Sequence, residues 1–322
     1  MFFVALLEAL GERLQKGLGT PLDVPVYLRG YDPGTWVPPE LAEWKIAVSD
    51  LAFDVCRTHR NLYLSKVQHA DTPGDAGRVE GRAIEQVLFE LHRAVRQHVQ
   101  DSSVGDLGLF DLMDHLAGSE DNLVNRAVGN AVQRSRQIDI DLLDREVLAK
   151  RLKRLLRVEG ICASAMLHHR ISRLPEPKIF EYFQTAMECA LEPTFDAPQL
   201  GLRSPIKPDF AFLGVPGDIK TGEWHGFLRL AVVSYVLAWE ADRQFPLHGG
   251  ILHHIRFQEG SLVPLHYETT YLPATVELRT LFVQKRDQKL AVLRDRSDPG
   301  KPEKKSCIEN GCPYIPVCWE AV

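Results

Sequence analysis

Pro208-Asp209-Phe210-Ala211-Phe212-Leu213-Gly214-Val215-Pro216-Gly217-Asp218-Ile219-Lys220-Thr221-Gly222 is the stretch on which the reading of this chain turns. PDFAFLG predicts a strand, GVPG a turn and DIKTG the next strand, because apolar runs are bounded by Gly and Pro. Successive strand residues alternate faces, so Asp218 and Lys220 share one face and Ile219 points to the other. A turn at GVPG brings Asp209 to the face of Asp218. Two carboxylates and one ammonium then lie on one side of a hairpin. Hard oxygen ligands of this kind suit Mg2+ or Mn2+. The metal polarises a phosphate and helps to generate hydroxide. The lysine offsets charge on the phosphoryl oxygens. With that turn, Asp209 and Asp218 sit near opposite ends of the paired region. They are about 13 Å apart at strand rise, so a shared ion requires a bulge or another register.

Outward from the hairpin, residues 224–241 (WHGFLRLAVVSYVLAWEA) read as a largely buried helix. ILHHIRF and LVPLHYE read as two strands separated by QEGS, and residues 271–294 as a last helix. His253 and His254 are expected on opposite faces, one in the core and one at the surface. Upstream, residues 80–100 form a strong helical pattern within a mostly helical block at about 105–190, with breaks at Gly118, Gly160 and Pro175–Pro177. Ser49 and Asp50 look like an N-cap for LAFDVCRTHRNLYL. Residues 3–16 repeat apolar positions at helical spacing, and about 18–47 form an irregular folded arm.

The 322 residues are 45% apolar and 25% charged, ordinary for a chain that buries a full core. The net charge of −5 and pI near 6.2 exclude a general positive coat. Nucleic acid would have to be held by local basic stripes such as Arg57–Lys66 or Arg78–Arg82. No signal peptide and no long apolar span is evident, so a cytoplasmic protein with no membrane partner is expected.

Clustered cysteines in a reducing compartment read as metal sites. The tail carries Cys307, Cys312 and Cys318. Three thiolates in one loop can wrap one iron–sulfur cluster or one zinc, and Cys56 is the candidate fourth ligand. Cys162 and Cys189 lie in apolar, helical contexts and read as small buried hydrophobes.

Together these residues resemble the RecB-like branch of the PD-(D/E)XK nucleases. More narrowly, they resemble the CRISPR-associated protein four family in its archaeal-type Csa-one variant. VCRTHRNLYL resembles the segment with the first cluster cysteine, GRAIEQVL the helix with a metal ligand, and PDF and GDIKTG the catalytic strands. YVLAWE resembles the helix carrying a Tyr and a Glu, here Tyr235 and Glu240. CPYIPVC matches the final cysteine pair. Three positions depart from the family pattern: Glu85 replaces His, Ala231 replaces Gln, and Cys307-x4-Cys312 is wider than CxxC.

The resemblance implies an α/β fold. Its restriction-endonuclease-like core carries a large helical portion and a C-terminal iron–sulfur tail. The implied divisions are an arm at 1–47, a mainly helical region at 48–190, a nuclease core at 191–294 and a cysteine tail at 295–322. The implied catalytic residues are Asp209, Asp218, Lys220 and Tyr235. Glu85, Asp209, Asp218 and the Ile219 carbonyl would hold Mg2+ or Mn2+, and Cys56, Cys307, Cys312 and Cys318 a 4Fe–4S cluster. Arg57, Arg60, Arg82 and Arg229 are candidate DNA contacts. The implied activity is metal-dependent cleavage of single-stranded or overhanging DNA, trimming prespacers alongside the integrase formed by Cas one and Cas two. The alternative is a catalytically weakened nuclease fold that binds DNA or serves as a scaffold in the adaptation complex.

Overall fold

Leu213 and Gly214 both take positive φ, 49° and 79°, the pairing a two-residue hairpin turn needs to match strand twist. Leu213 tolerates this conformation poorly, but the turn is tight. It joins β2 (Phe210–Phe212) to β3 (Val215–Thr221). In the computed structural model, which describes residues 23–70, 76–101, 109–134, 144–171, 189–258 and 260–320, this hairpin sits inside a five-stranded sheet. The turn therefore lies two residues earlier than GVPG, and Val215, Pro216 and Gly217 belong to the strand.

The sheet order is β1-β2-β3-β4-β5, with β1 at Cys189–Leu191, β4 at Gly249–Phe257 and β5 at Pro264–Pro273. Only β3 and β4 pair in parallel, and the other three pairings are antiparallel. A parallel pair needs a crossover, and the helix Leu228–Arg243 supplies it. β5 extends to Pro273, so the expected last helix starts later, at Val276, where Thr275 caps it by accepting from the Leu278 N–H. Cys189 is buried on β1, a strand where a helix was expected.

Upstream of the sheet are α1 (Val48–Ala52), α2 (Arg60–Lys66), α3 (Ala76–Asp101), α4 (Leu109–Arg134) and α5 (Arg145–Ile171). The crossover helix is α6, Val276–Asp295 is α7, and Lys304–Glu309 is α8. The result is a mixed α/β fold with a large helical content. Among the described residues no helix is long and apolar enough to cross a membrane. The predicted helix at 3–16 and the Pro175–Pro177 break lie outside the described residues.

One face of the sheet buries Phe210, Phe212, Ile219, Ile251 and Ile255 against Val79, Ala83 and Val87 of α3, backed by α4 and α5. Each fully buried aliphatic side chain contributes about 1.5–3 kcal/mol. The opposite face packs Leu252 and Leu272 on Leu228 and Val232 of α6, and α6 packs in turn on α1 and α7. Neither Gly118 nor Gly160 breaks its helix. A side chain at Gly160 would begin 3.0 Å from Leu116, so this glycine allows α4 and α5 to pack closely.

The helix expected to run from Ser49 through Leu64 is interrupted. α1 stops at Ala52, and α2 starts only after His59 at φ 58°. The cause is tertiary. The buried Lys289 ammonium of α7 donates to the carbonyls of Asp50, Leu51 and Phe53 at 3.0, 2.8 and 3.0 Å, satisfying groups that a continuing helix would have used. Ala47, not Ser49 or Asp50, is the residue at the N-cap. The arm from Val26 to Leu41 forms three short 3-10 turns. It is tied down by two fully buried guanidiniums of α7. Arg286 donates to Thr35 O, and Arg279 donates to Leu28 O at 3.0 Å.

Candidate active site

The tight turn sets the geometry of the site. Phe210 pairs with Gly217, and the next position in that register sets Asp209 opposite Asp218. The expected separation of two strand ends is therefore corrected, and no bulge is needed. Asp209 is pinned from both sides. Its carbonyl accepts from Glu192 N at 2.9 Å, and its Oδ2 accepts from Ile219 N at 2.6 Å. The hairpin can close this tightly because Gly217 has no side chain. A Cβ there would sit 2.2 Å from the Phe210 ring.

Alternation along β3 holds. Ile219 enters the core under α3, while Asp218 and Lys220 pair with one another. Lys220 Nζ donates to Asp218 Oδ1 at 2.9 Å. It lies 2.8 Å from Oδ2, at an angle that leaves this buried oxygen without a hydrogen bond. Asp218 is 1% exposed and a third of the Lys220 side chain reaches solvent. The ammonium therefore lies between a buried carboxylate and the outside.

α3 brings Glu85 to the same place. A Cβ on Gly81 would fall 2.3 Å from Thr221 Oγ1 at the end of β3, so glycine sets how closely α3 approaches the strand. Glu85 follows one turn later. Tyr235 enters from the middle of α6. Asp209, Asp218 and Glu85 act electrostatically on both Lys220 and Tyr235. Burial first, then the charge of Asp218, pushes the Asp209 carboxyl well above the usual range, with Glu85 adding to the effect. Burial lowers the Lys220 ammonium, but Asp218 and Asp209 outweigh it and raise it to about 12. Burial and then the three carboxylates push the Tyr235 phenol well above its ordinary value.

Two predictions follow from this packing. Gly81→Ala displaces α3 from Thr221 and lowers any activity of the site by tenfold or more, since misplacement by about 1 Å costs on the order of 10²-fold. Adding Thr221→Ala removes the obstructing oxygen and restores the rate in the same assay. The second concerns pH. A raised carboxyl contributes stability that is complete below the ordinary aspartate pKa and lost as pH rises through its folded value. Asp209→Asn stays neutral and still accepts from Ile219. Its urea midpoint therefore gains on the native chain as pH rises from 4 to 8, and a constant difference across that range contradicts the assignment.

The donor sets do not fit the expected metals. Among the described residues no group of three or more His, Cys, Asp or Glu side chains is arranged to hold a metal ion. This corrects the placement of Mg2+ or Mn2+ on Glu85, Asp209, Asp218 and the Ile219 carbonyl. The carboxylates are engaged internally, Asp209 by the Ile219 N–H and Asp218 by the Lys220 ammonium. It equally corrects the 4Fe–4S cluster on Cys56, Cys307, Cys312 and Cys318, and the zinc alternative.

The tail does return to Cys56, and all four thiols are buried and free. Cys307 and Cys312 pack with Val55, Phe53 and Tyr314, whereas Cys318 packs with Tyr63 and Leu64. Burial pushes the Cys312 thiol up to about 11 and raises Cys307 as well. Cys318 Sγ accepts from Arg60 Nη1 at 2.9 Å, and Cys56 Sγ lies 3.6 Å from Thr58 Oγ1. The tail is fastened by ion pairing instead. Arg60 grips Asp298 at 2.7 and 2.8 Å, and Thr58 donates to Gly300 O at 2.9 Å.

Of the four arginines expected to contact DNA, Arg60 is committed to Asp298 and Cys318, while Arg57, Arg82 and Arg229 are exposed. Glu240 stands apart from Tyr235 and lies wholly buried between Arg29 and Arg279. His253 and His254 do point to opposite faces, but both are buried. His253 Nδ1 meets Thr269 Oγ1 at 2.7 Å, and His254 Nε2 meets Gly222 O at 2.7 Å. The expectation of one surface histidine is thus corrected. Thr221 and Trp224 escaped the sequence reading. The signal for Trp224 was its place four residues beyond Lys220, in a loop that was read as helix.

The sequence model for the CRISPR-associated exonuclease Csa1 family matches residues 1–321 of this chain. A CRISPR-associated exonuclease Csa1 from Thermoproteus tenax is 26% identical over 300 residues, covering 92% of each chain. No solved structure matches. With a match along almost its whole length, this chain belongs to the CRISPR-associated exonuclease Csa1 family.

Proposed function

We propose that this chain trims single-stranded DNA ends by phosphodiester hydrolysis, preparing prespacers for the integrase formed by Cas one and Cas two. The proposed nuclease core, of the RecB-like PD-(D/E)XK type, spans residues 191–294. The observation that carries this reading is the convergence of Asp209, Asp218, Lys220, Tyr235 and Glu85, with the lysine between buried carboxylate and solvent. The names of the family and of the T. tenax relative support it.

In this reading a backbone phosphate docks on Lys220, whose fixed positive charge offsets the negative charge that grows on the phosphoryl oxygens. The docked phosphate draws the Lys220 ammonium outward and uncovers the Asp218 oxygen that has no hydrogen bond. Water attacks phosphorus and gives its proton to that oxygen. A new bond forms between phosphorus and the water oxygen, and the bond to the departing sugar oxygen breaks. That oxygen takes the proton held by Asp209, whose environment favours the protonated form. Tyr235 stays a neutral phenol and borders the site.

The test uses end-labelled linear single strands, duplexes with single-stranded overhangs, blunt duplexes and covalently closed single-stranded circles, assayed in EDTA and in divalent salts. Linear strands and overhangs shorten while circles stay closed. Linear strands that survive every buffer overturn the reading and leave a DNA-binding or scaffold subunit.

A further inference from the structure

The loop between β3 and α6, residues 222–227 (GEWHGF), follows directly on Lys220 and Thr221, and its Trp224 meets His254, the residue paired with Lys220 across β3 and β4. Trp224 in this loop is 42% exposed. The Arg229 guanidinium lies over its ring, 5.9 Å from the centroid. The His254 ring meets it edge-on at 5.6 Å.

The loop is held at several points. His254 Nε2 contacts the Gly222 carbonyl at 2.7 Å, Glu223 pairs with Arg256 at 2.7 Å, and His225 stacks on Phe227 at 4.8 Å. A single exposed apolar side chain is ordinary on a protein surface. This one differs in being pinned, partnered by a cation and close to the candidate phosphate anchor. It lies four positions beyond Lys220, a span of at most about 14 Å.

An exposed aromatic ring with an adjacent guanidinium is the chemistry that receives an unpaired nucleobase, because every base offers a π-face. A base within a duplex already has both faces stacked. We infer that Trp224, with Arg229, is a stacking site for an unpaired nucleobase next to the phosphate bound at Lys220. The inference rests on the proposed nuclease reading for the location of that phosphate. It adds a reason for that site to select single strands.

The experiment reads binding separately from cleavage. Fluorescence anisotropy follows a labelled single-stranded 12-mer on the Asp218→Asn protein, alone and combined with Trp224→Ala or Trp224→Phe. A matching strand built of abasic units is the second probe. Trp224→Ala weakens binding of the base-bearing strand by about 5- to 150-fold. Trp224→Phe stays within a few-fold of its parent, and the abasic strand binds all three proteins alike. Unchanged affinity in Trp224→Ala overturns the inference. Equal losses for base-bearing and abasic strands do so too, since they would mark Trp224 as purely structural, as would a parent that binds no single strand. If the native chain cuts no DNA but Trp224-dependent binding persists, the hydrolytic reading fails and the stacking site remains.

Discussion

Lys220→Ala is expected to lower the proposed strand shortening by about 10²- to 10³-fold, the loss typical of removing one preorganised group that meets transition-state charge. The size follows from what the ammonium touches. Among the described residues it is the side-chain partner of the Asp218 carboxylate, at 2.9 and 2.8 Å. It stays cationic at neutral pH because neighbouring carboxylates raise it to about 12. Alanine removes the positive charge and leaves a buried carboxylate unpaired. Single-turnover rates normalised to the folded fraction from circular dichroism separate the chemical loss from any loss of fold. Lys220→Arg keeps the charge and recovers part of the rate. A Lys220→Ala protein cutting within threefold of the native chain would remove Lys220 from the mechanism.

The largest effect on stability is expected at Glu240, which lies one and a half turns along α6 from Tyr235 and does different work. Its carboxylate is fully buried and accepts from Arg279 at 2.7 and 3.0 Å, Arg29 at 3.0 Å, Gly30 N at 2.8 Å and Leu247 N at 2.9 Å. One side chain thereby joins the arm, the crossover helix, α7 and the approach to β4. Arm and helix meet closely there, since a Cβ on Gly30 would lie 2.0 Å from the Leu237 carbonyl.

Glu240→Ala strands two guanidiniums without their counter-charge. Breaking a buried pair in this way costs about 3–5 kcal/mol. Urea denaturation followed by circular dichroism checks this, and a loss under 1 kcal/mol would contradict the clamp. Glu240→Gln keeps the shape but not the charge. Below its own unfolding midpoint it should still shorten DNA at the native rate, because the clamp does not touch Lys220.

The sequence by itself determined the local pattern. Alternation along DIKT assigned Asp218 and Lys220 to one face and Ile219 to the other, because side-chain direction in a strand follows from backbone geometry alone. The apolar repeats that built α3, α6 and most of α7 are equally local, and hydrophobic period fixes which stripe is buried. The tertiary structure decided the rest. Two positive-φ residues at Leu213 and Gly214 shifted the turn and set Asp209 opposite Asp218, a matter of cross-strand register that no single segment encodes. The approach of α3 over Gly81 brought Glu85 to the site, and the Lys289 ammonium, more than two hundred residues downstream, ended α1 at Ala52. The cysteines show the same limit. Their spacing read as a ligand set, but among the described residues they form no group arranged to hold a metal, and apolar side chains and the Arg60 guanidinium pack against them instead. Spacing along a chain constrains what can meet, while long-range packing determines what does.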